Sequence, residues 1–352
     1  MTAVDPKRLD SLLSQMVSDM GAAAVAPLVV LGDRLGLFKA LAKGGPMSAE
    51  ALADATGTTA RYVREWCSAQ AGSGYITYHE DSETFSLTPE QAAVFAQDDS
   101  PACMAGGYYA IASMFIDEPK IARAFQTGEG VGWGEHCNCL FCGTEKFFRP
   151  GYQASLVSEW IPALEGIVDR LQAGGKVADV GCGHGASTLV MAEAFPNSEF
   201  IGFDFHEASI DSANERAKEA GLGNVRFEVA SAKHFPGSDY DLVAYFDCLH
   251  DMGDPVGAIA HTRKALRPDG TVMIVEPFAH DRLKDNLNPV GRMYYAFSTM
   301  ICTPASISQE VGLALGAQAG PERLRRVVRD GGFARFRVAA ATPFNMIIEA
   351  RP

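Results

Sequence analysis

The rhythm of apolar and polar positions changes near residue 176. Before it, from residue 9 to about 127, apolar residues recur mostly at helical spacing. Ser48 stands where it can cap a helix running to Thr56, Gly57 supplies a turn, and Thr58 or Thr59 can cap a second helix through Ala71. Residues 75–79 and 84–87 then alternate like two short strands around a polar turn, and Thr88-Pro89-Glu90 restarts a helix with a cap and a proline at its first position. Helix, turn, helix and hairpin in that order predict a winged helix.

After residue 176 the pattern alternates between short apolar runs and helical periodicity. Strands are predicted at 176–180, 199–203, 225–229, 241–246 and 271–276, with helices at 186–194, 207–220 and 255–266. That order specifies a parallel α/β sheet covered on both faces. A long insertion follows, then a helix at 322–329 and two strands at 336–340 and 345–350 joined through a Pro343 turn. So short a link makes one of the two antiparallel. The expected organisation is a helical winged-helix domain over 1–127, linker and lid helices over 128–175, and an α/β domain over 176–352 with an insertion at about 277–320.

Composition narrows the partners. The 352 residues are 47% hydrophobic, enough for a large core, and 43 acidic against 30 basic side chains give a formal charge of −13. A phosphate backbone selects the opposite balance, and the predicted wing carries Glu80, Asp81 and Glu83 with no Lys or Arg, so nucleic acid is not an expected partner. The longest apolar run, 21–32, contains Pro27, ends at Asp33-Arg34 and is too short to span a bilayer. No membrane partner is expected. Eight scattered cysteines fit reduced thiols in a cytoplasmic protein.

The candidate chemistry starts at Asp179-Val-Gly181-Cys-Gly183-His-Gly185, a strand-to-helix turn. Glycines there tolerate positive φ and admit a ligand close to the backbone, and the helix start offers free N–H groups. Asp204, at the tip of the next strand, can accept from two ribose hydroxyls. These are parts of a nucleoside site, and Gly181-x-Gly183-x-x-Ala186 also fits the loose dinucleotide pattern, so the motif alone leaves both open. Asp179 favours a cationic amino-acid moiety over a pyrophosphate, which it would repel.

With these residues in place, 176–352 resembles the class I S-adenosylmethionine-dependent methyltransferases, including the Gly332-Phe333 pair before the final hairpin. The whole chain is similar to the mycobacterial-type methyltransferases with an N-terminal winged helix and, more distantly, to small-molecule O-methyltransferases that dimerise through such a domain. The resemblance implies a Rossmann-like seven-stranded sheet whose last strand is inserted antiparallel. It implies S-adenosylmethionine as cofactor, with Asp179, Gly181, Gly183 and Gly185 around its methionine part, Asp204 on the ribose and Phe205 near the adenine. Ser231-Ala232 stand where the family often has an aspartate for the adenine amino group, and Asp247 lies near the sulfonium end.

His250-Asp251-Met252-Gly253-Asp254 is similar to the His-Asp-Trp-Ser-Asp segment of the small-molecule O-methyltransferases, whose histidine deprotonates the acceptor hydroxyl. An imidazole suits that task. Glu276 matches a glutamate that orients the histidine, and Met252 replaces the tryptophan. His261, on a helix, is expected to face solvent. In related enzymes the insertion after the fifth strand shapes the acceptor pocket, which here points to Arg292, Tyr295 and Cys302. Aromatic residues around 147–160 suit a cofactor lid, with Tyr152 or Arg149 reaching polar atoms. Glu135-His136-Cys137-Asn-Cys139-Leu-Phe-Cys142 concentrates soft ligands for zinc or trivalent arsenic, yet lacks the second half of a zinc site, so no metal is expected.

The resulting expectation is a homodimeric cytoplasmic methyltransferase acting on a small molecule, at oxygen before sulfur or nitrogen. The alternatives are a ligand-binding winged-helix transcriptional regulator and a nicotinamide-dependent oxidoreductase built on the same glycine turn.

Overall fold

The computed structural model describes residues 4–352. It packs as two compact units. One runs to Phe115 and takes back Asn138–Pro150; the other comprises Ile116–Cys137 and Gly151–Pro352.

The first unit has the predicted order. Ser48 Oγ accepts from the Ala51 N–H at the start of the helix Ala49–Thr56, and Gly57 at φ 63° ends it. The helix Ala60–Gly72 follows, then strands β1 (Thr77–His79) and β2 (Thr84–Ser86), with Met47 bridged to Phe85 as a third short partner. Thr88 and Gln91 form a reciprocal capping box on the helix Pro89–Phe95. Phe38, Trp66 and Phe95 make the centre of its core, Phe38 edge-on to Trp66 at 4.9 Å and stacked on Phe95 at 5.0 Å.

The first helix, Pro6–Arg34, runs for 29 residues. It is long and apolar enough to cross a membrane by length and composition, the one such helix among the described residues. The sequence expectation judged the apolar run at 21–32 too short to span a bilayer; the helix that contains it starts at Pro6, capped by Asp5, and so is longer than that run. Val25, Ala26 and Val29 are buried in the unit, whereas Leu9, Leu12, Leu13, Met16, Val17 and Met20 are exposed.

In the second unit the strands are β3 (Lys176–Val180), β4 (Glu199–Asp204), β5 (Val225–Val229), β6 (Tyr240–Phe246), β7 (Leu266–Pro277), β8 (Arg335–Ala341) and β9 (Asn345–Arg351). They form one seven-stranded sheet in the order β5-β4-β3-β6-β7-β9-β8. β9 alone is antiparallel to its neighbours β7 and β8. The buried cluster of Ala178, Ile201, Tyr245, Ile274, Leu324 and Ile348 joins strands to covering helices. A register shift between Tyr240 and Leu242 lets β7 begin at Leu266, five residues earlier than its periodicity indicates. The crossovers leave the carboxyl ends of β3, β4, β6 and β7 clear, where ligands of such sheets bind.

Candidate functional site

The glycine turn leaves β3 in a left-handed conformation: Gly181, Gly183 and Gly185 have φ 78°, 52° and 76°. A Cβ on Gly185 would lie 2.5 Å from the Phe227 ring, so packing as well as backbone dictates glycine there. A Cβ on Gly183 would meet no atom within 4 Å, so that face of the turn lies open. The Gly183 N–H donates to Asp204 Oδ2 and the His206 N–H to Asp204 Oδ1, at 2.9 Å each. Asp204 thus ties the turn to the tip of β4. Burial pushes its carboxyl up, against the backbone donors.

Asp179, at the end of β3, packs against the start of the following helix. It is fully buried, and Oδ2 accepts from Ser187 Oγ at 2.7 Å and Thr188 Oγ1 at 2.6 Å, both at the start of the helix Ala186–Ala194. Oδ1 is sealed without a partner, and burial raises the carboxyl to about 6. The two hydroxyls draw the side chain beneath the turn, a contact that helix periodicity did not suggest. Phe205 is 59% exposed beside Asp204, and Ser231 is exposed with Oγ 3.1 Å from His234 Nδ1, while Ala232 is half-buried.

Asp247, just past β6, has φ 51°, a conformation that costs a non-glycine residue energy. Its carboxylate accepts from Tyr152 OH and from Asn345 Nδ2, both at 2.8 Å. Burial and the nearby Glu276 raise it to about 8. Asn345 is the site residue that sequence reasoning missed. It opens β9, and only the pairing of Asn345 with Pro277 reveals that it reaches the carboxyl end of β7.

His250 sits in the turn after β6 and is buried. Its Nδ1 lies 2.6 Å from Glu276 Oε2, while Glu276 Oε1 accepts from the Leu249 N–H at 3.0 Å and the His250 N–H at 3.3 Å. Burial disfavours the imidazolium, but Glu276 and Cys302 outweigh it and raise His250 well above its ordinary value. Asp251 beside it is raised to about 7, chiefly by burial.

The insertion closes on this loop. Ser306 Oγ donates to Met252 O and Gln309 Nε2 to Asp251 O, which fixes the helix Thr303–Ile307 against the His250 turn. Cys302 ends the π-helical stretch Ser298–Cys302 just before it and is buried at His250. Tyr295 is half-buried and Arg292 exposed on Pro289–Phe297, whereas Tyr294 is buried and donates to Phe344 O at 2.9 Å. His261 is a correction: it is half-buried, its Nε2 2.8 Å from Phe235 O. In the cysteine-rich segment, His136 Nδ1 pairs with buried Asp117 at 3.0 Å. No group of three or more His, Cys, Asp or Glu able to hold a metal occurs among the described residues.

The carboxyl ends of these strands gather several buried carboxyl groups. The leading charges acting on Asp204, Asp247 and Asp251 come from other acids and from histidines, with no Lys or Arg among them. Together with the open glycine face, this suits a ligand that carries positive charge and lies against the backbone.

Residues 171–332 match the family model described as methyltransferase domain, and residues 23–97 match the Rv2258c-like winged HTH domain. The 27-O-demethylrifamycin SV methyltransferase of Amycolatopsis mediterranei is 33% identical over 108 residues, 30% of this chain and 39% of that one. The ubiquinone biosynthesis O-methyltransferase of Methylococcus capsulatus is 33% identical over 103 residues, 28% and 42%. The alignment thus spans about two-fifths of either curated relative. Among solved structures, human N-acetylserotonin methyltransferase in complex with S-adenosylmethionine superposes with TM-score 0.70 at 16% identity, covering 100% and 99% of the two chains. The mitomycin 7-O-methyltransferase gives 0.68 at 18%, covering 98% and 100%. Likeness at this identity speaks for the fold.

Proposed function

We infer that the chain, which matches a methyltransferase domain over 171–332 and an Rv2258c-like winged HTH domain over 23–97, methylates a small-molecule acceptor, at oxygen, using S-adenosylmethionine. The observation that carries the choice of oxygen is the His250–Glu276 pair, a base that a hydroxyl needs and a thiolate does not.

When bound, the cofactor supplies an electrophilic methyl group on a sulfonium. The open face at Gly183 suits its methionine part, Asp204 its ribose and exposed Phe205 its adenine. Asp179 holds the helix start through Ser187 and Thr188 and thereby the shape of the turn. His250 Nε2, the ring nitrogen not engaged by Glu276, would take the proton of an acceptor hydroxyl. Glu276, fixed by two backbone N–H groups, keeps Nδ1 oriented and stabilises the imidazolium that results. Positive charge next to His250 opposes its protonation, so a cationic ligand brings the imidazole toward the neutral form that accepts a proton.

Cys302, buried at His250, suits a wall of the acceptor site, and Tyr295 and Arg292 on the helix before it are our candidates for its remaining contacts. The exposed apolar side chains at 9, 12, 13, 16, 17 and 20 recur at helical spacing along Pro6–Arg34, which supports a homodimer formed through this helix. All eight cysteines are free, in keeping with the cytoplasm.

The test is transfer of a labelled methyl group from S-adenosylmethionine to matched hydroxyl, thiol and amine acceptors. Labelling of hydroxyl acceptors that is lost in His250→Ala is the expected result; labelling of thiols or amines that survives it rejects oxygen chemistry.

A second reading follows from the winged helix-turn-helix match: regulation through DNA binding. The acidic Glu80–Ser82 wing and Glu83 argue against it. A low-salt gel-shift titration that yields a complex would favour it.

A further inference from the structure

Among the residues at the carboxyl ends of these strands, Asp247 combines three features. It is a non-glycine residue in the left-handed region, its carboxylate is gripped by two neutral donors from different elements, and part of it stays accessible. Tyr152 reaches it from the π-helical turn Tyr152–Trp160, with its ring edge-on to Phe246 at 5.4 Å and to Trp160 at 6.1 Å. Asn345 reaches it from the final hairpin, where Thr342 Oγ1 accepts the Asn345 N–H at 2.9 Å. The Asp247 N–H itself donates to Val275 O. The next residue, Cys248, donates through Sγ to Val180 O at 3.2 Å and would lie 2.7 Å from a Cβ on Gly181, so the loop carrying Asp247 abuts the glycine turn.

We propose that Tyr152 and Asn345 are positioning residues that aim the Asp247 carboxylate at the cofactor's sulfonium, so that the site distinguishes the charged methyl donor from its neutral thioether product. The inference rests on the methyltransferase reading and assigns this discrimination to three residues.

The electrostatics are consistent with the geometry. Burial first and then Glu276 raise Asp247, the Tyr152 hydrogen bond, His250 and the Asn345 hydrogen bond oppose them, and the balance stands at about 8. Tyr294, a further titratable group close to Asp247, is buried and donates to Phe344 O. Removing either neutral donor leaves the carboxylate less stable without changing the formal charge of the site, so its ionisation moves to higher pH. A donor that only braced the fold would weaken both ligands alike, at every pH.

The experiment is calorimetric titration of the full chain with S-adenosylmethionine and with S-adenosylhomocysteine between pH 6 and 9, on wild type, Asn345→Leu, Tyr152→Phe and Asp247→Asn. Both ligands share adenosine, ammonium and carboxylate, so the ratio of their dissociation constants isolates the sulfonium. The wild-type preference for the sulfonium ligand should grow by about tenfold as Asp247 ionises. That rise should move to higher pH in Asn345→Leu and Tyr152→Phe, and vanish in Asp247→Asn. The two donor variants come from separate elements, so loss of folding in one leaves the other informative. A wild-type ratio that is flat with pH, or donor variants that weaken both ligands equally, overturns the proposal while leaving the methyltransferase reading in place. Failure of wild type to bind either ligand removes both.

Discussion

His250 Nδ1 and Glu276 Oε2, 2.6 Å apart, link the turn after β6 to the end of β7, and the other Glu276 oxygen accepts from two backbone N–H groups of that same turn. One carboxylate therefore shapes the loop and orients the base. Glu276→Gln should keep much of the loop geometry but lower kcat by about 10²–10⁴-fold, the usual contribution of a positioned base, with cofactor affinity nearly unchanged. Steady-state kinetics beside calorimetry checks the split.

The pH profile follows from His250. The group must be neutral to accept a proton, and its protonation lies above its ordinary value in the ligand-free protein. Activity should therefore rise with pH, its acid limb lying above 6.5 in kcat/KM, and the limb should disappear in His250→Ala. A limb at or below 6.5 would contradict the role.

Stability should run the other way. Asp179, Asp251 and Asp247 are raised to about 6, 7 and 8 from an ordinary 3.8. Each folded value exceeds the unfolded one, so their protonated forms favour the folded state, and that contribution is lost as pH rises from about 4 through 8. Ligand-free Tm should fall across this window, less steeply in Asp247→Asn. Differential scanning calorimetry with and without S-adenosylmethionine checks it, the cationic ligand flattening the slope.

Gly183 and Gly185 separate binding from folding. Gly185→Ala places a Cβ 2.5 Å from Phe227 at φ 76°, and a loss of about 1–3 kcal/mol in stability is expected. Gly183→Ala meets no protein atom but intrudes on the open face, so stability should change by about 1–2 kcal/mol while cofactor affinity falls by more than tenfold. Chemical denaturation and calorimetric titration, run on both variants, test the contrast.

The exposed stripe on Pro6–Arg34 predicts an assembly. Replacing Leu13 and Met16 together by Glu should turn a dimer into a monomer in light scattering with the fold intact. A monomeric wild type contradicts the assignment.

Much of the sheet was legible because central strands read as mainly apolar runs and the edge strand as an alternation. Lys176–Val180 and the alternating Val225–Val229 fall where these patterns place them, and the glycine turn, Asp204 and the His250 segment are local motifs. Less legible was whatever depends on the third dimension. Asn345 meets Asp247 through antiparallel pairing across 98 residues of chain, and no spacing encodes that contact. Asp179 turned toward two hydroxyls at the helix start, and His261 toward a carbonyl, because buried donors and acceptors pair with whatever folding brings near. Helical spacing from residue 9 is visible in the sequence, but the membrane-length apolar character of Pro6–Arg34 was not, because its N-terminal half is only intermittently apolar.

The most direct test of the central claim is calorimetric titration of the purified chain with S-adenosylmethionine, S-adenosylhomocysteine, NAD and NADH, repeated on Asp204→Ala. Binding of the two adenosyl ligands alone, lost in the variant, is the predicted result. Binding of a nicotinamide cofactor, or adenosyl binding indifferent to Asp204, would contradict it.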